Sequence, residues 1–307
     1  MSYPSKTDIV NSVCCPQLIK DIFLQGTFFK IGFNGQPVKW GGGYSLVFQF
    51  VKNEQKWAFR VWHTEIEDIR ERYKRISTTL AKFGLPYFDL FTYVENGLIV
   101  NGQWIDTYRM RWIDGQTLNE FINLNINNPK KLLEVAEKFK EMVWTFHKNN
   151  IAHGDLQHGN IMVKDDGSLM VIDYDSMYLD TLHGMADIIK GQKGYQHPAR
   201  DFNKIANPKL DYFSESVIYL SLLAYSDDSS LWENDTDRLL FSIEDLNTPH
   251  TSKTFKKLIS SANPKIYKLA DKLFKCLRLN DILLLKPLEE MLADEWEDDA
   301  KGISDKF

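Results

Sequence analysis

Cysteine is nearly absent from this 307-residue chain, which carries only Cys14, Cys15 and Cys276. Three thiols, two of them adjacent, cannot build a disulfide framework. Nothing near them has metal-ligand spacing, so a reducing compartment is expected. Basic residues are not in excess either. Lys and Arg number 37 against 42 Asp and Glu, a net charge of -5, which argues against a nucleic-acid partner. No apolar run reaches the roughly 18 residues of a membrane helix, and residues 1–20 show no basic start followed by an apolar stretch. Internal repeats and low-complexity segments are missing. These absences lead to the expectation of a soluble, cytoplasmic protein with no membrane partner. What remains is ordinary globular composition, 43% hydrophobic and 26% charged. The length suits one large domain or two unequal lobes sharing a cleft.

Local patterns divide the chain. Residues 1–30 read as a short amphipathic extension with Ile9, Val10, Val13, Leu18, Ile19, Ile22 and Phe23 on its apolar side. Extended runs follow, Leu46 to Val51 and Trp57 to Trp62, after a glycine turn at Gly41-Gly42-Gly43. Thr64 with Glu67 predicts a capping box, and Ile66, Ile69, Tyr73, Ile76 and Leu80 predict the buried stripe of the helix behind it. Phe91 to Val100 and Trp104 to Trp112 read as strands around an Asn101-Gly102 turn. From Pro129 the pattern is helical, with Leu132, Leu133, Ala136, Phe139, Met142, Val143 and Phe146 as one buried face. Ile161 to Val163 and Leu169 to Ile172 flank a hairpin turn at Asp165-Asp166-Gly167. Val217 to Leu223 reads as a buried helix, and the helical tail ends in an acidic run, Glu289 to Asp299. A strand-rich half thus precedes a helix-rich half, which predicts an α+β fold.

The most informative stretch is His153-Gly154-Asp155-Leu156-Gln157-His158-Gly159-Asn160-Ile161-Met162-Val163, followed by a short hairpin and Asp173-Tyr174-Asp175. The first resembles the catalytic loop of protein kinases, His-x-Asp with an Asn five residues beyond the Asp, and the second has the place and spacing of their Asp-Phe-Gly motif. Phosphoryl transfer needs oxygen ligands for the metal ions on the phosphates and a carboxylate to orient the attacking hydroxyl. The resemblance implies Asp155 as the base, with Asn160 and Asp173 as ligands of Mg or Mn. Gly42, Gly43, Ser45 and Val47 look like the end of the glycine-rich loop, and Ala58-Phe59-Arg60 stands where the family carries Ala-x-Lys. Met110 stands at the gatekeeper position, Trp112 and Ile113 look like the linker offering backbone groups to adenine, and Met162 joins the ATP-binding set. Gly194-Tyr195-Gln196-His197-Pro198 resembles the end of the activation segment. Asp211 resembles the aspartate that braces the catalytic loop from the next helix; a simple helix N-terminal charge is the alternative. The wording of these motifs is closest to a bacterial serine/threonine kinase-like branch, with partial similarity to aminoglycoside and choline kinases.

The resemblance implies a two-lobed fold: a helical extension over 1–30, a strand-rich lobe over 31–113 and a helical lobe over 114–307, binding Mg-ATP between the lobes. Departures accompany it. Arg60 replaces the family lysine, and no glutamate of the first helix is well placed to pair with it. Asp175 replaces a glycine and reads as a solvated turn residue, with a further metal ligand as the alternative. Gly154 replaces the arginine that would pair with a phosphate on the activation segment, so activity independent of that phosphate is expected. His158 and His197 read as hydrogen-bonding loop residues. The implied function is an ATP-dependent transferase acting on protein Ser/Thr hydroxyls. A small-molecule kinase and a nucleotide-binding scaffold without catalysis are the alternatives.

Overall fold

In the computed structural model, residues 3–33, 35–235 and 237–293 are described. They form two compact units, Met1–Asp114 and Gly115–Phe307.

The first unit begins with a capping box. Ser5 accepts the Asp8 amide on its hydroxyl at 3.2 Å and donates its own amide to the Asp8 carboxylate at 3.1 Å, starting α1 (Lys6–Val13). After two single 3-10 turns come β1 (Phe28–Phe29), β2 (Lys39–Gly41), β3 (Ser45–Lys52), β4 (Gln55–Trp62), α2 (Ile69–Phe83), β5 (Phe91–Val100) and β6 (Gln103–Arg111). The sheet is antiparallel in the order β1-β3-β4-β6-β5, with β2 also on β3. Its tight turns follow local chemistry: Asn53-Glu54 and Asn101-Gly102 all adopt positive φ, as two-residue hairpins require.

Alternation along the strands sorts side chains onto two faces. One carries Leu46, Phe48, Phe50, Phe59, Val61 and Ile105, and it packs with Ile9, Val10 and Val13 of α1 and with Ile19 and Leu24. Ile22 departs from the expected apolar side and is exposed, because the 3-10 turn it opens directs Leu24 inward instead. The opposite face carries Val47, Ala58, Arg60, Tyr108 and Met110. Here Tyr73 of α2 meets the rings of Trp62, Tyr108 and Phe91 at 5.2–5.3 Å between centroids.

The capping box expected at Thr64 does not form. The Thr64 hydroxyl pairs with the ring of His63 at 3.2 Å, and Asp68 adopts a left-handed φ of 58°, which a right-handed helix cannot pass through. Helix α2 therefore starts at Ile69, and Ile66 is buried ahead of it. The helix is tied to the sheet by Arg70, which donates to both oxygens of Asp106 at 2.9 and 3.0 Å and to Glu95 at 3.0 Å.

The second unit opens with β7 (Gln116–Thr117), α3 (Leu118–Asn125) and α4 (Pro129–Lys148). Strands β8 (Ile161–Val163) and β9 (Leu169–Val171) form the expected hairpin, with β7 on the outer side of β8. Helices α5 (Tyr212–Asp227), α6 (Ile243–Asn247), α7 (Lys253–Ile259), α8 (Pro264–Cys276) and α9 (Leu288–Leu292) complete it. On α4 the buried stripe takes Val135 in place of Leu133, which is exposed. Residue 133 lies about 100° round the helix from Leu132 and leaves the i, i+3, i+4 series. Helix α5 is buried on all sides as expected; its serines turn inward without cost, Ser221 donating to the carbonyl of Val217 at 2.7 Å. The acidic run expected to Asp299 lies outside the described residues from 294 on.

The described chain is thus mixed α and β, with an antiparallel sheet and several helices, compatible with the α+β expectation. Among the described residues no helix is long and apolar enough to cross a membrane.

Candidate functional site

In the second unit the loop 153–160 is held from beneath by Asp211. This residue precedes α5, yet its carboxylate does not cap the helix. It accepts the backbone amides of His153 and of Gly154, the latter at 2.9 Å. The helix-end alternative for Asp211 therefore gives way to the bracing role. His153 donates from Nε2 to the carbonyl of Ile172 at 2.9 Å, which leaves Nδ1 to accept the Asp155 amide at 3.4 Å. One imidazole thereby ties the loop to the strand end that carries Asp173.

Gly154 has a φ of 77°, and a Cβ there would overlap the carbonyl oxygen of Ser176. Only glycine fits, which explains why no arginine stands before Asp155. Asp155 accepts the amide of Gln192 at 2.8 Å on Oδ1 and the side-chain amide of Asn160 at 3.2 Å on Oδ2. The same Asn160 nitrogen donates to the backbone carbonyl of Asp155 at 2.9 Å, so Asn160 Oδ1 remains as an acceptor. Asp173 adopts a left-handed φ of 70°, an uncommon conformation for a residue with a side chain. Burial, and then the negative charge of Asp173, push the pKa of Asp155 above the usual carboxylate range. The Asp155 carboxylate and the Asn160 side chain thus meet within one loop, and the charge of Asp173 at the end of the hairpin acts on Asp155. Asp173 and Asn160 are hard oxygen donors of the kind Mg takes.

Asp175 is buried, against the expectation of a solvated turn. Met177, Tyr178 and Leu179 follow it into the interior, so the segment dives inward rather than turning on the surface. His158 pairs with the hydroxyl of Tyr195. His197 donates to the carbonyl of Cys276 at 2.9 Å and accepts the Ala199 amide at 3.1 Å, so both histidines are hydrogen-bonding loop residues. Met162, half-buried in β8, stands opposite Thr117 and Met170.

The remaining expected residues lie in the first unit. Gly42 and Gly43 form the turn between β2 and β3, and the Gly42 carbonyl is engaged by Lys6 at 3.2 Å and by His63 at 3.3 Å. Ser45 and Val47 follow on β3, with Val47 directly opposite Arg60 and Ala58 opposite Met110. Arg60 is buried, so a merely exposed strand arginine is excluded. It donates from Nε to Ser45 Oγ at 2.5 Å and from Nη1 to the Tyr108 hydroxyl at 3.4 Å, beneath the rings of Trp62 and Tyr108. Glu65, Glu67 and Glu71 are exposed, and Glu71 pairs with Arg75 along the helix; the buried charged residue of α2 is Arg72. Met110 is buried; Trp112 and Ile113 are half-buried, and the Trp112 amide donates to the Lys56 carbonyl at 3.0 Å.

Three contacts around these residues were not expected from the sequence. Trp40 stacks at a tilt on Trp112, ring centroids 4.8 Å apart. Gln192 supplies a backbone amide to Asp155, which no side-chain pattern can announce. Arg200 is 1% exposed and reaches the carbonyl of Gly154.

No family model matches the chain. Serine/threonine-protein kinase PrkC of Bacillus subtilis is 26% identical over 117 residues, 37% of this chain and 18% of that protein. "Probable serine/threonine-protein kinase mkcC" of Dictyostelium discoideum is 26% identical over 137 residues, 43% of this chain and 15% of that protein. The chain spans less than a fifth of the length of either relative. Over part of its length, then, it is distantly similar to serine/threonine protein kinases.

Proposed function

We propose that this chain is an ATP-dependent phosphotransferase whose acceptor is a protein Ser/Thr hydroxyl. In this reading Asp155 orients the hydroxyl and takes its proton. The hydroxyl oxygen bonds to the γ-phosphorus, the bond to the β–γ bridging oxygen breaks, and ADP leaves. Asn160 and Asp173 would hold Mg or Mn, which when bound neutralises charge on the phosphates. Gly42, Gly43, Ser45 and Arg60 serve the phosphates; Val47, Ala58, Met110, Trp112, Ile113 and Met162 serve the base.

The observation that carries the reading is the Asn160 amide bonded to both the carbonyl and the carboxylate of Asp155, with Asp173 near enough to raise the Asp155 pKa. The distant similarity to kinases supports the same reaction class. The unpaired thiols of Cys14 and Cys15, both exposed, fit a reducing, cytoplasmic setting. A second reading, a nucleotide-binding module without transfer, is favoured by Arg60 in the lysine position and Arg72 as the buried charge of α2.

Two measurements on the purified chain separate these readings. Thermal shift with ATP is expected to be larger with Mg or Mn than with EDTA. Incubation with γ-labelled ATP and a cell lysate is expected to put label on protein. Label on small molecules alone overturns the acceptor class. A metal-dependent shift with no transferred label supports the second reading, and the absence of any shift removes the nucleotide from both.

A further inference from the structure

We infer that Arg200 is a positioning residue that holds the catalytic loop against the segment facing it without any phosphate; this rests on the phosphotransferase reading of Asp155. A guanidinium carries five N–H donors, and every one finds an acceptor here. Nε donates to Asp187 Oδ2 at 3.3 Å, and Nη2 donates to Asp187 Oδ1 at 3.1 Å and to the Ile189 carbonyl at 3.3 Å. Nη1 donates to the Gln196 side-chain oxygen and to the Gly154 carbonyl. One side chain therefore gathers both ends of the segment 187–200 and fastens them to the residue before Asp155.

The path to the reacting group is short. The same segment brings the Gln192 amide to Asp155 Oδ1 at 2.8 Å. It does so by crossing the loop at Gly191, whose φ is 73°. A Cβ at that residue would lie 2.8 Å from Asp155 Oδ1 and 2.9 Å from the Gly154 carbonyl. The orientation of the Asp155 carboxylate thus depends on a backbone run whose two ends Arg200 holds.

The counter-charge is encoded in the chain. The Asp187 side chain is 2% exposed and also accepts from Asn203 at 2.8 Å and Lys190 at 3.2 Å. Burial opposes ionisation of Asp187, but Arg200, Asn203 and Lys190 outweigh it and keep its pKa below the usual value. A bidentate arginine–carboxylate pair supplies what an arginine–phosphate pair would otherwise supply. Little is left on the segment for a kinase to modify. Its hydroxyl side chains between 175 and 195 are Ser176, Tyr178, Thr181 and Tyr195, and all but Thr181 are buried.

The test uses the full chain after phosphatase treatment, with hydrogen exchange at the Gln192 amide, ATP affinity and turnover as readouts. The wild-type amide is expected to be protected. Arg200→Lys keeps the charge but loses the two-pronged geometry. It is expected to speed exchange at Gln192 at least tenfold and to lower turnover at least tenfold, with ATP affinity within about threefold and a cooperative melt. Asp187→Asn, which keeps the shape and removes the charge, is the second variant and is expected to act in the same direction. Exchange at Gln192 unchanged in both variants overturns the inference, as does protection that appears only once the segment is phosphorylated. If the wild type transfers no phosphate, the phosphotransferase reading fails while the exchange measurement still decides whether Arg200 holds the segment.

Discussion

Arg60 donates its Nε proton to the hydroxyl of Ser45 at 2.5 Å, joining β4 to the first residue of β3. The guanidinium is held between this hydroxyl and the Tyr108 side chain, buried and always charged. Under the proposed function it fixes the turn and clamps phosphate oxygens. Arg60→Ala should weaken ATP binding at least tenfold, since charge-assisted hydrogen bonds are worth roughly 1.5–3 kcal/mol. Arg60→Lys should recover only part, because a lysine lacks the planar fork. A calorimetric titration that returns wild-type ATP affinity for Arg60→Ala, with only the melting temperature lowered, would leave Arg60 as a packing residue.

Under the proposed function, Asp155→Asn removes the proton acceptor while keeping the shape of the side chain. Turnover should fall by two orders of magnitude or more, as general-base contributions of about 10²–10⁴ suggest, with ATP affinity nearly unchanged. Steady-state rates at wild-type level would sink the assignment.

Two glycines should differ in their tolerance of alanine. At Gly154 the positive φ alone costs an alanine roughly 1–2 kcal/mol, and its Cβ also overlaps the Ser176 carbonyl, so Gly154→Ala should lose at least about 2 kcal/mol of stability. At Gly42 an added methyl would meet no atom within 4 Å, so Gly42→Ala should melt within a degree or two of wild type. If the turn cradles phosphates, Gly42→Ala should still bind ATP more weakly. Denaturant titration of both variants checks the ordering, which reverses if the turn is the tighter site.

His147 sits between Glu215, at 2.8 Å, and Glu289, at 2.9 Å, and so links α4 to α5 and to the residues of α9. Burial opposes its charge, but the two carboxylates outweigh that and raise its pKa to about 9. A folded pKa above the unfolded value of about 6.5 stabilises fully below that value, and the contribution is lost as pH rises through about 9. Stability should therefore drop between about pH 6.5 and 9.5, on the order of 2 kcal/mol at most for a partly buried, coupled pair. His147→Gln should flatten this part of the profile. Urea midpoints measured for both proteins across the range decide it; parallel profiles would remove His147 from the account.

Much of the fold was legible because local chemistry and burial agree. The Asn101-Gly102 turn needs positive φ, and those two residues provide it. The stripes of α2 and α4 follow the 3.6-residue repeat, and α5 is buried on every side. Where a single local signal stood alone it failed: Thr64 and Glu67 match a capping box, but Asp68 turns the backbone left-handed and the helix starts later.

The sequence by itself determined the candidate residues Asp155, Asn160 and Asp173, because their types and spacing along one loop and one hairpin are local facts. It also determined that Glu71 lies on the outer face of α2, since helical periodicity decides that. Only the tertiary structure decided what surrounds them. The amide of Gln192 reaches Asp155 through backbone, which carries no side-chain code. Gly154 is required by the carbonyl of Ser176, a neighbour brought in by folding. The resemblance had already named Asp211 as a brace, and folding shows which two loop amides it accepts; Arg200, 46 residues along the chain, donates to the Gly154 carbonyl. Hydrogen bonds over such separations are set by packing, and one-dimensional spacing holds no record of them.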